Sequence, residues 1–477
     1  MAHYMGTDED DAHNGTAASD YIEGAGGDDT LYDGPRSAAS VADQIFGDVG
    51  DDVIATVGGA DTVDGGSNRD QLIIDYELIP ADFFLAIAED TGNSITSSNG
   101  LSITSIEIFE FHLGSGNDNV SAGAGDDRFY GNGGNDAFFG KSGSDVAFGG
   151  IGEDHFFGGS GGDALYGEAD DDLLYGDGGN DGLLGGIGDD ELHGGTGDDF
   201  MTGDAGADQL HGDGGNDRVY YSQSSVGVTV NLAAHTGDNG DAEGDTYDSI
   251  ETVYGSTFDD TLTGSGEFES LYGEAGNDIL RGGAGADLLY GGVDIDTASY
   301  FTGAVGVTIN LLTGIGSGGG AQGDRLSSIE NLSGSQGHDS LVGNSDDNVL
   351  RGWNGNDLLT GAGGKDTLSG GIGGDRFVYG SVGQSVVGAD ADRITDFSHA
   401  QADKIDLAAI DANSGAAGNQ AFSFIGTGLY TGVAGQLRYA QSGGVTTIAG
   451  DVDGNGTSDF HIQLTGAVAL AAGDFVL

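Results

Sequence analysis

The sequence predicts an all-β fold: a flattened parallel solenoid of nonapeptides, closed by a β-rich C-terminal cap. Three observations predict it. Glycine supplies 96 of 477 residues and recurs with a nine-residue period, an Asp falls sixth in each unit, and an apolar residue falls eighth. The stretch GGTGDDFMT GDAGADQLH GDGGNDRVY, which begins at Gly194, shows all three. Nine residues are too few for a helical repeat but suffice for a six-residue turn and a three-residue strand. Glycine at positions one, two and four frees the turn to adopt φ > 0. In the strand the eighth side chain points inward and the seventh and ninth outward. Two units make one coil, so each Asp stands above the Asp two units on.

Carboxylates aligned in this way repel one another, and the chain holds too few cations to separate them. Lys and Arg number 13 against 79 Asp and Glu, a net charge of -66. The counter-charge must come from solution, and an all-oxygen ligand set selects a hard cation such as calcium. A chain unfolded without the cation and folded with it is the natural expectation. The same charge excludes a basic face for nucleic acid. Glycine lacks the every-third-residue period of collagen, and the regular apolar position argues against a disordered acidic chain. The absence of cysteine leaves the redox compartment open. The start MAHYMGTDEDDAHN has neither a basic nor an apolar region, so no cleavable leader is expected, and no run of about 18 apolar residues predicts a membrane span.

The elements follow in order. Residues 1–112 hold looser units from Gly15, Gly24, Gly47, Thr56 and Gly65, with Asp20, Asp29, Asp52, Asp61 and Asp70 sixth, then a strand-rich insertion from Ile74 to His112 that ends in SIEIFEF. Residues 113–220 are twelve uninterrupted nonapeptides. Their sixth positions are Asp118, Asp127, Asp136, Asp145, Asp154 and Asp163, then Asp172, Asp181, Asp190, Asp199, Asp208 and Asp217. Residues 221–299 and 300–378 each join an insertion to further repeats. The two insertions are 48-residue copies that begin at Asp217 and Asp296 and carry the alternating strands VGVTVNL and VGVTINL. The segment 74–112 reads as a divergent third copy. In the repeats that follow, Asp260, Asp278 and Asp287, and then Asp339, Asp357, Asp366 and Asp375, stand sixth. Residues 379–477 lose the glycine period and alternate as compact strands, the cap that a solenoid end requires.

The pattern GGxGxDxUx resembles the RTX, or hemolysin-type, calcium-binding repeat. The resemblance implies calcium between successive turns of a parallel, right-handed β-roll, held by the sixth-position carboxylates and by turn carbonyls, with pairs such as Asp127 and Asp145 sharing an ion. The alternative, that Asp only shapes an Asx turn, would admit Asn or Ser, and the twelve central units admit neither. The final segment resembles the C-terminal module of serralysin-type secreted proteins. The closing Asp474, Phe475, Val476 and Leu477 look like their uncleaved type I secretion signal, which implies export by a type I apparatus and an extracellular location.

Departures locate weaker sites: Asp170 at a fourth position, Leu113 and Ala122 at first positions, Glu269 and Asn348 at sixth positions. In the cap, DVDGNGTSD sets Asp451, Asp453, Asn455 and Asp459 at EF-hand-like spacing, but Ile462 stands where the loop needs Glu; a glycine-rich hairpin turn is the other reading. At position nine, Tyr130, Phe148 and Tyr166 on one edge and Phe139, Phe157 and Tyr175 on the other predict outward aromatic ladders, which either stabilise the solenoid or bind sugars or partner surfaces. His193 and His211 continue the second ladder. No HExxH is present, and the GxSxG match at GGSGG from Gly158 lies inside a repeat, so no enzyme is expected. The expected function is a non-catalytic extracellular structural, surface-layer or adhesion protein that folds on calcium, with a glycan or surface partner. The alternative is the calcium-dependent carrier portion of a secreted enzyme (protease, lipase or epimerase type) encoded on a longer or separate chain, whose catalytic part is not in this one.

Overall fold

The computed structural model describes residues 2–35, 41–79, 81–87 and 95–477. Among them the only helices are four three-residue 3-10 turns; all other regular structure is β. The chain forms two compact units, residues 1–224 with 235–252, and residues 225–234 with 253–477.

In the first unit the strands alternate between two parallel stacks. One runs through Asn119–Ser121, Ala137–Ser142, His155–Ser160, Leu173–Gly178, Glu191–Thr196 and Gln209–Gly214. The other runs through Arg128–Gly133, Val146–Ile151, Ala164–Ala169, Gly182–Ile187 and Phe200–Ala205. The register steps by two nonapeptides, as Phe138 opposite Phe156 and Phe129 opposite Ala147 show. The eighth-position side chains of both stacks meet inside. Phe129 of one lies 5.2 Å from Phe138 and 5.6 Å from Phe156 of the other, and all three are fully buried.

Most of these central strands are six residues long, twice the expected length. They run from position seven to position three of the next unit, and the first-position residue is skipped in the pairing: Tyr130 pairs with Phe148 and Asn132 with Gly150, while Gly131 pairs with nothing. Gly149 is skipped in the partner strand as well, so both strands kink at the same place and the register is kept. Position two then takes a left-handed conformation, with φ of 65° at Asn132, 74° at Lys141 and 78° at Glu168.

At one turn the divergent insertion matches the other two. The backbone N–H of Asp70, Asp217 and Asp296 donates in turn to Glu107, Glu251 and Glu330 Oε2, at 2.9 Å each time. Ser105, Ser249 and Ser328, just ahead of each Glu, have φ of 52°, 55° and 51°.

In the second unit, strands Thr261–Thr263, Ile279–Arg281 and Thr297–Ser299 continue the parallel pattern. The cap extends it without a break. Arg393–Ile394 pairs with Thr367–Ser369 on one side and with Phe460–Thr465 on the other, and Phe460–Thr465 closes an antiparallel meander with Val445–Asp451 and Gln436–Ser442. The C-terminal residues are part of it: Phe475 and Val476 pair with Ile405 and Asp406.

Candidate metal centre

Each turn holds its carboxylate in the same way. The backbone N–H of the sixth-position Asp donates to Oδ1 of the Asp one coil on, from Asp118 to Asp136 through to Asp199 to Asp217, at 2.7–2.9 Å. One oxygen of each carboxylate thus serves the stack, and the other decides the chemistry.

That second oxygen falls into two classes. At Asp118, Asp136, Asp145, Asp154, Asp163 and Asp172, and again at Asp181, Asp190, Asp199, Asp208 and Asp217, Oδ2 is buried with no hydrogen-bond donor. The same is true of Asp29, Asp52 and Asp61, and of Asp278, Asp287, Asp357, Asp366 and Asp375. At Asp20, Asp127, Asp260 and Asp339 the turn caps itself instead. Thr16, Gly123, Ser256 and Ser335, each in position two, donate their backbone N–H to Oδ2 at 2.5, 3.1, 2.6 and 2.7 Å.

The second residue marks most of the difference. In most open turns it has a left-handed φ, as at Gly150, Gly159 or Asp204, although Gly114 and Val57, ahead of the open Asp118 and Asp61, do not. Thr16, Gly123, Ser256 and Ser335 are not left-handed, and their N–H reaches the carboxylate. Thr16, Ser256 and Ser335 add a hydroxyl donor to the same group. Asn348 caps likewise through Asn344, whereas Glu269 keeps Oε2 bare although Ser265 donates to Oε1.

Oxygens converge at the first-position glycine of open turns and also of the capped turns at Gly255 and Gly343. A Cβ placed on Gly149 would lie 2.1 Å from Asp154 Oδ2 and 2.7 Å from the carbonyl oxygen of Gly167, one coil on. The same convergence recurs at Gly131, Gly140, Gly167, Gly176 and Gly194. Burial pushes these carboxyls far above their ordinary range, and neighbouring carboxylates push them further: to about 8 at Asp145, Asp154, Asp172 and Asp208, and to about 7 at Asp136, Asp181 and Asp217. Among the self-capped carboxyls only Asp20 is lowered; burial still raises Asp127, to about 7, and Asp260 and Asp339. A buried anionic oxygen with no donor, set among carbonyls, fits a hard divalent cation and little else.

The two later insertions stop a site in another way. Tyr221 Oη donates to Asp245 Oδ2 at 2.7 Å and Tyr300 Oη to Asp324 Oδ2 at 2.8 Å, so a buried hydroxyl fills the place of a cation. Sequence reasoning missed Asp245 and Asp324. It also missed Asp11, Asp43, Asp296, Asp392 and Asp403, which all join the stack of N–H to carboxylate bonds. Asp11 and Asp296 were legible, since GTDEDDAHN and GGVDIDTAS place Asp sixth.

The outer ladders form as expected, with Tyr130–Phe148–Tyr166 centroids 5.2 and 4.6 Å apart and Phe139–Phe157–Tyr175 4.9 and 5.0 Å apart, planes within 10°. His193 and His211 extend the second column, their rings 4.5 Å apart. In the cap loop both oxygens of Asp451 accept backbone N–H groups, from Gly454 and Gly456, as in a tight hairpin turn.

Residues 189–477, more than half of the chain, match the family model of the peptidase M10 serralysin C terminus. The chain belongs to the serralysin C-terminal family. Ahead of that region, residues 5–34, 39–72, 112–147 and 148–183 match the RTX calcium-binding nonapeptide repeat. This member of the serralysin C-terminal family is therefore a calcium-binding RTX protein with a parallel β-roll and a serralysin-type secretion module. It is 48% identical over 145 residues to the metallopeptidase AprA of Pseudomonas marginalis and 49% identical over 144 residues to the metalloprotease AprA of Pseudomonas entomophila. Each match covers 30% of this chain, and the chain spans 28% of the length of either relative. Among solved structures it is similar to the AlgE6R3 subunit of the Azotobacter vinelandii mannuronan C5-epimerase, at 30% identity over 31% of this chain and 77% of that one, TM-score 0.23. The AlgE6R2 subunit of the same enzyme matches at 26% identity over 40% and 92%, TM-score 0.22.

Proposed function

We propose that this chain is a non-catalytic extracellular protein of structural, surface-layer or adhesive role, exported by a type I apparatus and folded by several calcium ions. The observation that carries the reading is the buried, donor-less Oδ2 that recurs through the open turns. Bound calcium supplies the positive charge these oxygens lack. The chain's own residues do the rest: the Asp N–H groups hold one oxygen of each carboxylate in the stack, the first-position glycines leave room for the ion, and the buried eighth positions join the coils. In this reading the open turns hold calcium, and the self-capped turns of Asp20, Asp127, Asp260 and Asp339 hold it weakly or not at all.

The organisation proposed is an N-terminal divergent repeat region, 1–112, the central array, 113–220, two insertion-and-repeat segments, 221–299 and 300–378, and a cap that carries the secretion signal, 379–477. A second reading, the carrier part of a secreted enzyme, is favoured by the two metallopeptidase relatives, of which the chain spans 28%. Assays of the calcium-loaded chain separate them. Self-assembly into sheets, or calcium-dependent retention on acidic glycans through the aromatic columns, supports the first. A monomer that ignores glycans but restores activity to a separately encoded catalytic chain supports the second.

A further inference from the structure

The repeat register breaks once near the N-terminus, and three carboxylates meet at the break. Ile22 pairs with Ile45 and Leu31 with Ile54, a longer step than the two nonapeptides of the uninterrupted array. The extra residues lie between Asp33 and Asp43. Asp43 takes the ordinary sixth-position role: Asp20 donates its N–H to Asp43 Oδ1 at 2.6 Å, and Asp43 donates to Asp61 Oδ1 at 2.9 Å. Asp33 is additional, since it stands where a repeat would carry its first glycine.

Asp33, Asp43 and Asp61 are 3%, 5% and 0% exposed. One carboxylate oxygen of each lies within 4.8 Å of those of the other two. Asp33 spends Oδ2 on the N–H of Val57, at 2.8 Å, and its Oδ1 is buried without a donor; Asp61 Oδ2 is buried without one as well. Among the described residues no ion pair reaches any of the three. A cavity of about 20 Å³, large enough for one ion, is lined by Asp33 and Asp43 with Thr16, Gly34, Val41 and Val57. The Val41 carbonyl supplies a neutral oxygen: a Cβ on Gly59 would lie 2.5 Å from it and 2.7 Å from Asp61 Oδ1.

The geometry points to a three-carboxylate metal site in which Asp33 joins Asp43 and Asp61, sixth-position residues of successive coils, and which takes one hard cation more tightly than the two-carboxylate turns of the array. An ordinary turn offers the ion two carboxylates from successive coils, whereas this one offers three, and affinity in all-oxygen sites rises with ligand charge. Three buried carboxylates without a cation would repel strongly at short range. The site fills first on calcium addition and joins successive coils before the array closes. The inference rests on the calcium reading of the roll for its chemistry, but it predicts a different quantity: the order of filling.

The full chain is crystallised with calcium and one equivalent of terbium, and the terbium is located by anomalous scattering. The expected peak lies among Asp33, Asp43 and Asp61. A first peak in the turns between Asp118 and Asp217 would overturn the site. In parallel, Asp33→Asn is titrated with calcium against a competing chelator. The variant is expected to lose one ion from the tightest class while its midpoint for β structure moves less than twofold. If it binds as many ions as the parent with the same affinities, the site is refuted; if it does not fold, the terbium position in the parent decides. A chain that folds fully without metal would defeat the folding reading and leave the terbium result to judge this site alone.

Discussion

The backbone N–H of Asp145 donates to Oδ1 of Asp163 at 2.7 Å, and Oδ2 of Asp163 has no donor at all. One carboxylate thus builds the stack with one oxygen and offers the other to a cation.

Replacing Asp163 with Asn keeps a carbonyl oxygen for the Asp145 N–H but removes the charge from the cradle. Asp163→Asn is expected to lose one calcium or weaken a site about tenfold, ~1.4 kcal/mol. Asp260→Asn, in a turn that Ser256 already caps, is expected to leave the calcium count unchanged. Isothermal titration of both variants checks this; equal losses would show that the cap does not matter.

Gly149→Ala puts a methyl group 2.1 Å from Asp154 Oδ2 and 2.7 Å from the Gly167 carbonyl. The side chain fills the place of the ion, so this change is expected to delete a site outright and to lower the melting temperature in calcium by several degrees. A variant with parental calcium count and melting temperature would mean that the cation lies elsewhere.

Tyr300→Phe leaves Asp324 Oδ2 buried without its hydroxyl donor. The cost of a buried unsatisfied group is about 1–3 kcal/mol, read as a lower denaturation midpoint in saturating calcium. Calcium stoichiometry should not fall. A stability unchanged by the substitution would show that the tyrosine does not stand in for a cation.

The pH dependence follows from the raised carboxyls. Asp145, Asp154 and Asp172 titrate near 3.8 when exposed and at about 8 in the folded chain. The metal-free folded state therefore binds more protons than the unfolded one, its stability is greatest in acid, and it is lost as pH rises through 8. The chelated chain is expected to gain β structure as pH falls from 8 to 5, with protons in place of calcium, and apparent calcium affinity to rise with pH over the same window. Far-UV circular dichroism in chelator that stays flat between pH 8 and 5 would contradict it.

Much of this was legible in the sequence. The period of nine set the strand spacing, the two-unit coil and the buried eighth position, because side-chain direction in a strand depends only on parity. What was not legible was which Asp is free. Asp260 and Asp278 both stand sixth, yet Ser256 closes one turn and the left-handed Glu274 opens the other, a difference of backbone conformation at position two. Asp43 was hidden by the extra residues that shift the register. Asp245 and Asp324 were hidden inside insertions whose partners, Tyr221 and Tyr300, lie 24 residues away in sequence.

Phe475 and Val476 pair with Ile405 and Asp406, so the terminal residues are part of the cap rather than a loose tail. Deleting 379–477 is expected to abolish secretion by a type I apparatus, while deleting two whole coils between Gly131 and Gly212 is not. Efficient export of the truncated chain would refute the assignment of the signal.

The central claim is that calcium occupies the donor-less oxygens and thereby folds the roll. Circular dichroism during a calcium titration of the chelated chain near neutral pH tests it most directly. The account predicts a largely unstructured spectrum in chelator and a cooperative gain of β structure at roughly 0.1 to 1 mM calcium, the range of extracellular modules. A full β spectrum in chelator, unchanged when calcium is added, would contradict it.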